Sequence, residues 1–294
     1  MPWYQLEDAN DPRLDELAKQ YNLHPLHVED ARSEEESVKV DTSAHYTFAV
    51  FKPVRLEPDP AAPAESIPVF SPVDIFAGKD FLITIADSRC SSTQQALERA
   101  RRDGDDEHPA RLLYLILDTI VDLYFPAIDH FDDRIDDLED VVLASPTPAI
   151  LQRVFALKRE LIDLRRVLVN TRDASLHLQR DPESIIDTEH QPYVRDIYDH
   201  VARLLDSVET QRDLLNNTLD IYLSSVANRT NEVMKVLTVL STIALPVIAI
   251  SGIYGMNLKG LPFEQSAHGA EYVALLTILC TVLLLYLLRR MKWF

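Results

Sequence analysis

Apolar and polar positions divide this chain into a long mixed region and two uninterrupted apolar runs near its C-terminal end. Residues 236–258 carry no charged side chain over 23 positions. At ~1.5 Å per residue such a helix covers ~35 Å, enough for a hydrocarbon core of ~30 Å. Residues 272–288 form a second uncharged run, of 17, rich in Leu, Val and Ile. It is short for a span, and Arg289 can lengthen it by snorkelling. A helix that is apolar all round needs cover on every side, so two membrane spans are expected rather than two core helices. They are 236–258 and 272–288, with a loop at 259–271 and a basic tail at 289–294.

Upstream, the periods are shorter and mixed. Residues 1–105 predict a small α/β domain. Strand-like runs rich in Val, Ile, Phe, Tyr and Thr occupy Val38–Val54, Ile67–Ala77 and Phe81–Ala86. Short helices are expected at Asp11–Tyr21, Pro25–Ala31 and Ser91–Arg102, and a Pro-rich loop at Glu57–Pro68. Residues 106–190 predict a helical hairpin, Ala110–Leu143 and Pro148–Arg180, with Ser145-Pro146-Thr147-Pro148 as its stop and start signals. A third helical pattern begins near Pro192 and meets no breaker until Pro246. One stalk helix, 191–235, should therefore run directly into the first span. The fold class expected is an α+β domain, then a long stalk helix, then two C-terminal transmembrane helices.

The long helix carries a stripe at three- and four-residue spacing: Asp220, Ser224, Ala227, Asn231, Met234, Thr238, Ser241, Leu245, Ile248 and Gly252. Its members are small, polar and apolar by turns, unlike a dry coiled-coil seam. Two readings stay open. Identical helices can ring a partly wet axial pore, or the stripe can be ordinary packing with Ser and Thr bonded to their own backbone. Two spans cannot enclose a path, so transport would require self-association.

Charge adds direction. The chain carries −18, and residues 236–294 carry +2, which leaves −20 for residues 1–235. So acidic a chain excludes a nucleic-acid partner. Arg229 and Lys235 precede the first span, and Arg289, Arg290 and Lys292 follow the second. The positive-inside rule then predicts both termini in the cytoplasm and the short loop outside. The first twelve residues have no basic and apolar stretch, so no cleaved signal peptide is expected. Cys90 and Cys280 lie in dissimilar surroundings and imply no disulfide. No nucleotide-binding glycine loop, zinc-protease helix or nucleophile elbow occurs, so an enzyme is not expected.

The first span ends Gly252-Ile253-Tyr254-Gly255-Met256-Asn257, and the stretch leading to it, from Asp220 to Leu237, reads DIYLSSVANRTNEVMKVL. Together with the Arg289–Phe294 tail, His24-Pro25-Leu26 with Glu29-Asp30, and Val194–His200, these segments resemble the CorA family of magnesium and cobalt channels. The resemblance implies a funnel-shaped homo-oligomer, a pentamer, in the plasma membrane of a bacterium or archaeon. It implies Mg²⁺ as the transported ion, with Co²⁺ and Ni²⁺ also passing. Gly255, Met256 and Asn257 would form the selectivity filter. A ring of Asn257 amide oxygens suits an ion that sheds water reluctantly, because neutral acceptors attract a hydrated cation without trapping it.

By the same resemblance Asp220 is a pore-entry acid and Asn231 lines the inner pore. Met234, Leu237 and Leu245 form an apolar constriction that gates by dewetting, with Ser241, Ile248 and Gly252 on the same path. Asp30 and Asp196 would bind regulatory Mg²⁺ between subunits. The acidic run Asp129–Asp140 either concentrates cations or is a solvated helix face. His24 and His27 suit capping better than metal binding. The loop departs from the family pattern, with Lys259 and Phe263 at its usual acidic positions and Glu264 one place later. A ZntB-type Zn²⁺ transporter, proton-coupled or not, is the alternative. A membrane-anchored sensor without transport is a third reading.

Overall fold

The computed structural model describes the whole chain except residues 34–35, 61–64, 91, 104–107, 182–183, 257–259, 264–265 and 291–294. The chain forms two compact units, Met1–Leu219 and Asp220–Phe294.

The first unit is built on a five-stranded sheet in the order β1-β7-β6-β3-β2. Its strands are β1 (Trp3–Leu6), β2 (Lys39–Ser43), β3 (Tyr46–Phe51), β6 (Val73–Gly78) and β7 (Leu82–Ala86). Only the β1–β7 pair is parallel. The central strands β3, β6 and β7 are buried on both faces. Alternate residues explain this. Phe48, Val50, Phe76, Ile83 and Ile85 join Leu14 and Leu17 of α1 (Pro12–Gln20) and Val28 of α2 (Pro25–Ala31) in one apolar cluster. The opposite face is covered by α4 (Pro109–Asp122) and α6 (Pro148–Arg180), which pack on β6 and β2. Helix α3 (Ser92–Asp103) lies against α4.

Proline explains several boundaries. Pro12, Pro25, Pro109 and Pro148 each open a helix, where the missing N–H costs nothing. Two expectations are corrected. The single helix expected over Ala110–Leu143 is two: α4 ends at Asp122, and α5 (Tyr124–Ala144) begins after Leu123. Pro126 cannot donate to the Asp122 carbonyl and its ring crowds that group, so the backbone breaks there. The stretch 57–68 is not wholly a loop. β4 (Val54–Pro58) and β5 (Ser66–Phe70) pair as a separate antiparallel ladder. Pro68 is tolerated because a two-stranded ladder leaves one side of each strand unpaired. The short strand β1 was not anticipated either.

Helix α7 (Gln191–Gly255) is 65 residues long. In the first unit it buries Val194, Ile197, Val201, Leu204 and Val208, a three- and four-residue stripe. Buried Gln211 donates to the Ile128 carbonyl and to Asp132 Oδ1, both at 2.8 Å, which fixes α7 on α5. Leu157, Leu161, Leu164 and Leu168 of α6 are fully covered, each stabilising the helix packing by roughly 1.5–3 kcal/mol.

Candidate functional site

In the second unit, α7 continues to Gly255 and α8 spans Gly269–Arg290. Both are long and apolar enough to cross a membrane. No residue of α8 is buried, and of the described residues from Val236 onward only Pro246 is. Leu245 and Ile248 are 65% and 68% exposed. Apolar surface left this open requires lipid or protein cover.

Pro246 sits inside α7. Its missing N–H leaves the Thr242 carbonyl without its helical donor, yet the helix continues, as membrane helices allow. Along the same stretch Thr230, Thr238, Thr242 and Ser251 donate to the carbonyl four residues back, at 2.6–2.9 Å. These hydroxyls are satisfied within their own helix, so their polarity alone does not demand water.

The residues expected to line a path are exposed: Asp220, Asn231, Met234, Leu237, Ser241, Leu245, Ile248 and Gly252. Leu237, Ser241 and Leu245 also border an open apolar groove facing Leu284, Leu287 and Leu288 of α8. A Cβ at Gly252 or Gly255 would meet nothing within 4 Å. Packing among the described residues therefore does not require either glycine. Of the expected filter, Gly255 ends α7 and Met256 follows in a tightening turn, its N–H 3.3 Å from the Ile253 carbonyl. Asn257 lies outside the described residues, as do Lys259 and Glu264. Downstream, Tyr254 donates to the Pro262 carbonyl at 3.0 Å, and Phe263 packs on Tyr272 at 5.2 Å between ring centroids. A Cβ at Gly269 would come within 2.5 Å of the Phe263 carbonyl oxygen, so the close approach there requires glycine.

The two expected regulatory acids belong to different elements, and among the described residues no hydrogen bond or ion pair joins them. Asp30, in α2, accepts from Lys39 Nζ at 2.7 Å, and Glu36 shares that lysine at 2.9 Å. Burial works against the Lys39 charge, but these two acids outweigh it and raise its pKa. Asp196, on the first turns of α7, lies 3.5 Å from His200 Nε2.

His200 brings in residues that sequence reasoning missed. Ligand atoms of Asp118, Asp122 and His200 lie within 4.8 Å of one another. Asp118 is buried and pairs with Arg99 at 2.8 Å; Asp122, one turn on, is 3.7 Å from the same guanidinium. Burial, and then the Asp118 charge, raise the Asp122 pKa. Asp118 and Asp122 are some eighty positions from His200, and no local motif links them. The i, i+4 spacings of Asp118 with Asp122 and of Asp196 with His200 were the available signals. His24 and His27 are structural: His24 caps α2 through the Leu26 N–H, and His27 bonds Tyr46 at 2.8 Å and stacks on Phe48. In the acidic run of α5, Asp132 and Glu139 accept from Gln211 and Thr218 of α7.

Residues 1–290 match the family described as CorA-like Mg²⁺ transporter protein. The cobalt/magnesium transport protein CorA of Thermotoga maritima is 35% identical over 93% of this chain and 77% of its own length. This chain belongs to the CorA family. The solved structure of the CorA magnesium transporter from Methanocaldococcus jannaschii superposes on the CorA-family chain with a TM-score of 0.84 at 26% identity, covering 99% of this chain and 91% of that one. The zinc transport protein ZntB of Yersinia pseudotuberculosis is more distant, 24% identical over 60% of this chain. The fold is thus that of CorA, an α/β domain, a long helix and two C-terminal apolar helices.

Proposed function

We propose that this chain is the protomer of a homo-oligomeric channel, a pentamer, that carries Mg²⁺ across the plasma membrane, with Co²⁺ and Ni²⁺ also passing. Residues 236–258 and 272–288 span the bilayer, and the basic flanks keep both termini in the cytoplasm. The observation that carries this reading is the striped face of α7. Nearly all of its positions from Asp220 to Gly252 are exposed, Thr238 being half-buried, and in sequence it leads directly to Gly255-Met256-Asn257. Gathered about an axis, these helices put the Asn231 amides below, the Met234, Leu237 and Leu245 side chains at a constriction, and the Asn257 amides at the outer mouth. Amide oxygens bind the waters of a hydrated Mg²⁺ without stripping them.

Cytoplasmic Mg²⁺ regulates the channel at Asp30 and at the Asp196 cluster. Asp118 and Asp122 support the second of these, since their carboxylates group with His200, which lies 3.5 Å from Asp196. An ion there competes with Arg99, and at Asp30 with Lys39. Mg²⁺ bound between neighbouring copies favours the closed state by differential affinity. Its loss lets the acidic parts, −20 each over residues 1–235, separate.

The test is ion-resolved uptake by the purified protein in proteoliposomes. Mg²⁺ and Co²⁺ uptake should follow the electrochemical gradient, and Asn257→Ala should reduce the Mg²⁺ flux at least about tenfold. Full flux in that variant rejects the filter. The zinc-transporter reading is favoured by one feature, the loss of acids at positions 259 and 263. Zn²⁺ uptake driven by a pH gradient, with no Mg²⁺ flux, selects it instead.

A further inference from the structure

A second group of metal-ligating side chains lies outside everything assigned above. His108 is the N-cap residue of α4, but its side chain makes no capping hydrogen bond. Its Nε2 lies 3.8 Å from Asp187 Oδ2. His190, just before α7, places Nδ1 2.6 Å from the other oxygen, Asp187 Oδ1. The two imidazoles stack, with centroids 4.6 Å apart and planes 17° from parallel. One ligand atom from each of the three residues lies within 4.8 Å of the others. His190 is buried, whereas His108 and Asp187 are open to solvent, so an ion has both a firm wall and an entry path.

Helix capping explains part of this arrangement. Asp187 Oδ1 also accepts the His190 backbone N–H at 2.9 Å, which suits an acid ahead of a helix. Capping gives no reason for a second imidazole, from a distant segment, to stack on the first and face the free oxygen. Ligands ~2.0–2.1 Å from a tetrahedral centre stand ~3.3 Å apart. The separations of 2.6 and 3.8 Å bracket that value, so small ring rotations suffice to admit an ion.

We infer that His108, Asp187 and His190 form a site for a borderline transition-metal dication, Zn²⁺ or Co²⁺, with water completing its coordination. Two imidazole nitrogens select such ions over Mg²⁺, which prefers oxygen ligands. Bound metal would clamp the start of α4 to the start of α7, the helices that carry Asp118, Asp122, Asp196 and His200. The channel would then read transition-metal levels separately from Mg²⁺.

The test is Co²⁺ binding by the full-length protein in excess Mg²⁺, followed by visible absorption and by metal analysis of the separated protein. Wild type should hold about one Mg²⁺-resistant Co²⁺ per protomer, with an imidazole-type spectrum. His108→Ala and His190→Gln should each weaken it at least about tenfold, while Asp196→Ala keeps it. His108→Ala removes an exposed side chain that makes no cap bond, so folding is not at issue, and circular dichroism verifies this. Equal Mg²⁺-resistant Co²⁺ in wild type and His108→Ala, or full displacement by Mg²⁺, overturns the site.

Discussion

Asp74 shows how the surroundings of one residue set a measurable property. It is buried in β6, and its Oδ1 has no hydrogen-bond partner. Burial, and then the Glu36 charge, raise its pKa well above the ordinary carboxylate range. A raised folded-state pKa means that the ionised form destabilises the fold. The penalty is absent below the unfolded pKa and grows as pH rises toward the folded value. Asp74→Asn should therefore stabilise the protein at neutral pH, by about 1–3 kcal/mol. Thermal melts across pH check it: the gain should shrink as pH falls into the ordinary carboxylate range. Asp30 and Asp196 were legible only by resemblance. Lys39 beside Asp30, and Asp118 and Asp122 beside His200, were not, because tertiary contact brings them together; only the Asp196–His200 pair follows from helical i, i+4 spacing.

Among the elements, those with strong end signals were legible. Pro25–Ala31 and Pro148–Arg180 fall where Pro and the polar residues before it place them. β1 was not, because only Leu6 of its four residues is buried, and half-exposed edge strands carry little periodicity. The β4–β5 ladder was hidden by prolines that an edge tolerates and a central strand would not. In α7, a Cβ at Gly252 would meet nothing within 4 Å among the described residues. Gly252→Leu should therefore leave the protomer's secondary structure intact. If copies of α7 approach one another there, the larger side chain should reduce the oligomeric fraction in light scattering. An unchanged oligomer would show that this glycine faces no neighbour.

Over the whole molecule, the proposed behaviour comes from an acidic part, −20 over residues 1–235, coupled to a helix face most of whose described residues are exposed. Neutralising both sensor acids in Asp30→Ala/Asp196→Ala should leave uptake running at internal Mg²⁺ concentrations that close the wild type. Proteoliposome flux against internal Mg²⁺ checks this, and unchanged inhibition contradicts it. That the chain spans a membrane was legible from charge-free runs, because a bilayer imposes length and polarity on any sequence that crosses it. Which face of α7 meets another copy was not, since small, polar and apolar residues share its stripe. Cross-linking in a bilayer decides that point. With Cys90→Ser and Cys280→Ala as background, Leu245→Cys, inside the span, should give covalent dimers on mild oxidation in liposomes. Failure to cross-link, with the introduced thiol instead reacting freely with a lipid-soluble maleimide, would mean that this face meets lipid and that no axial path is formed.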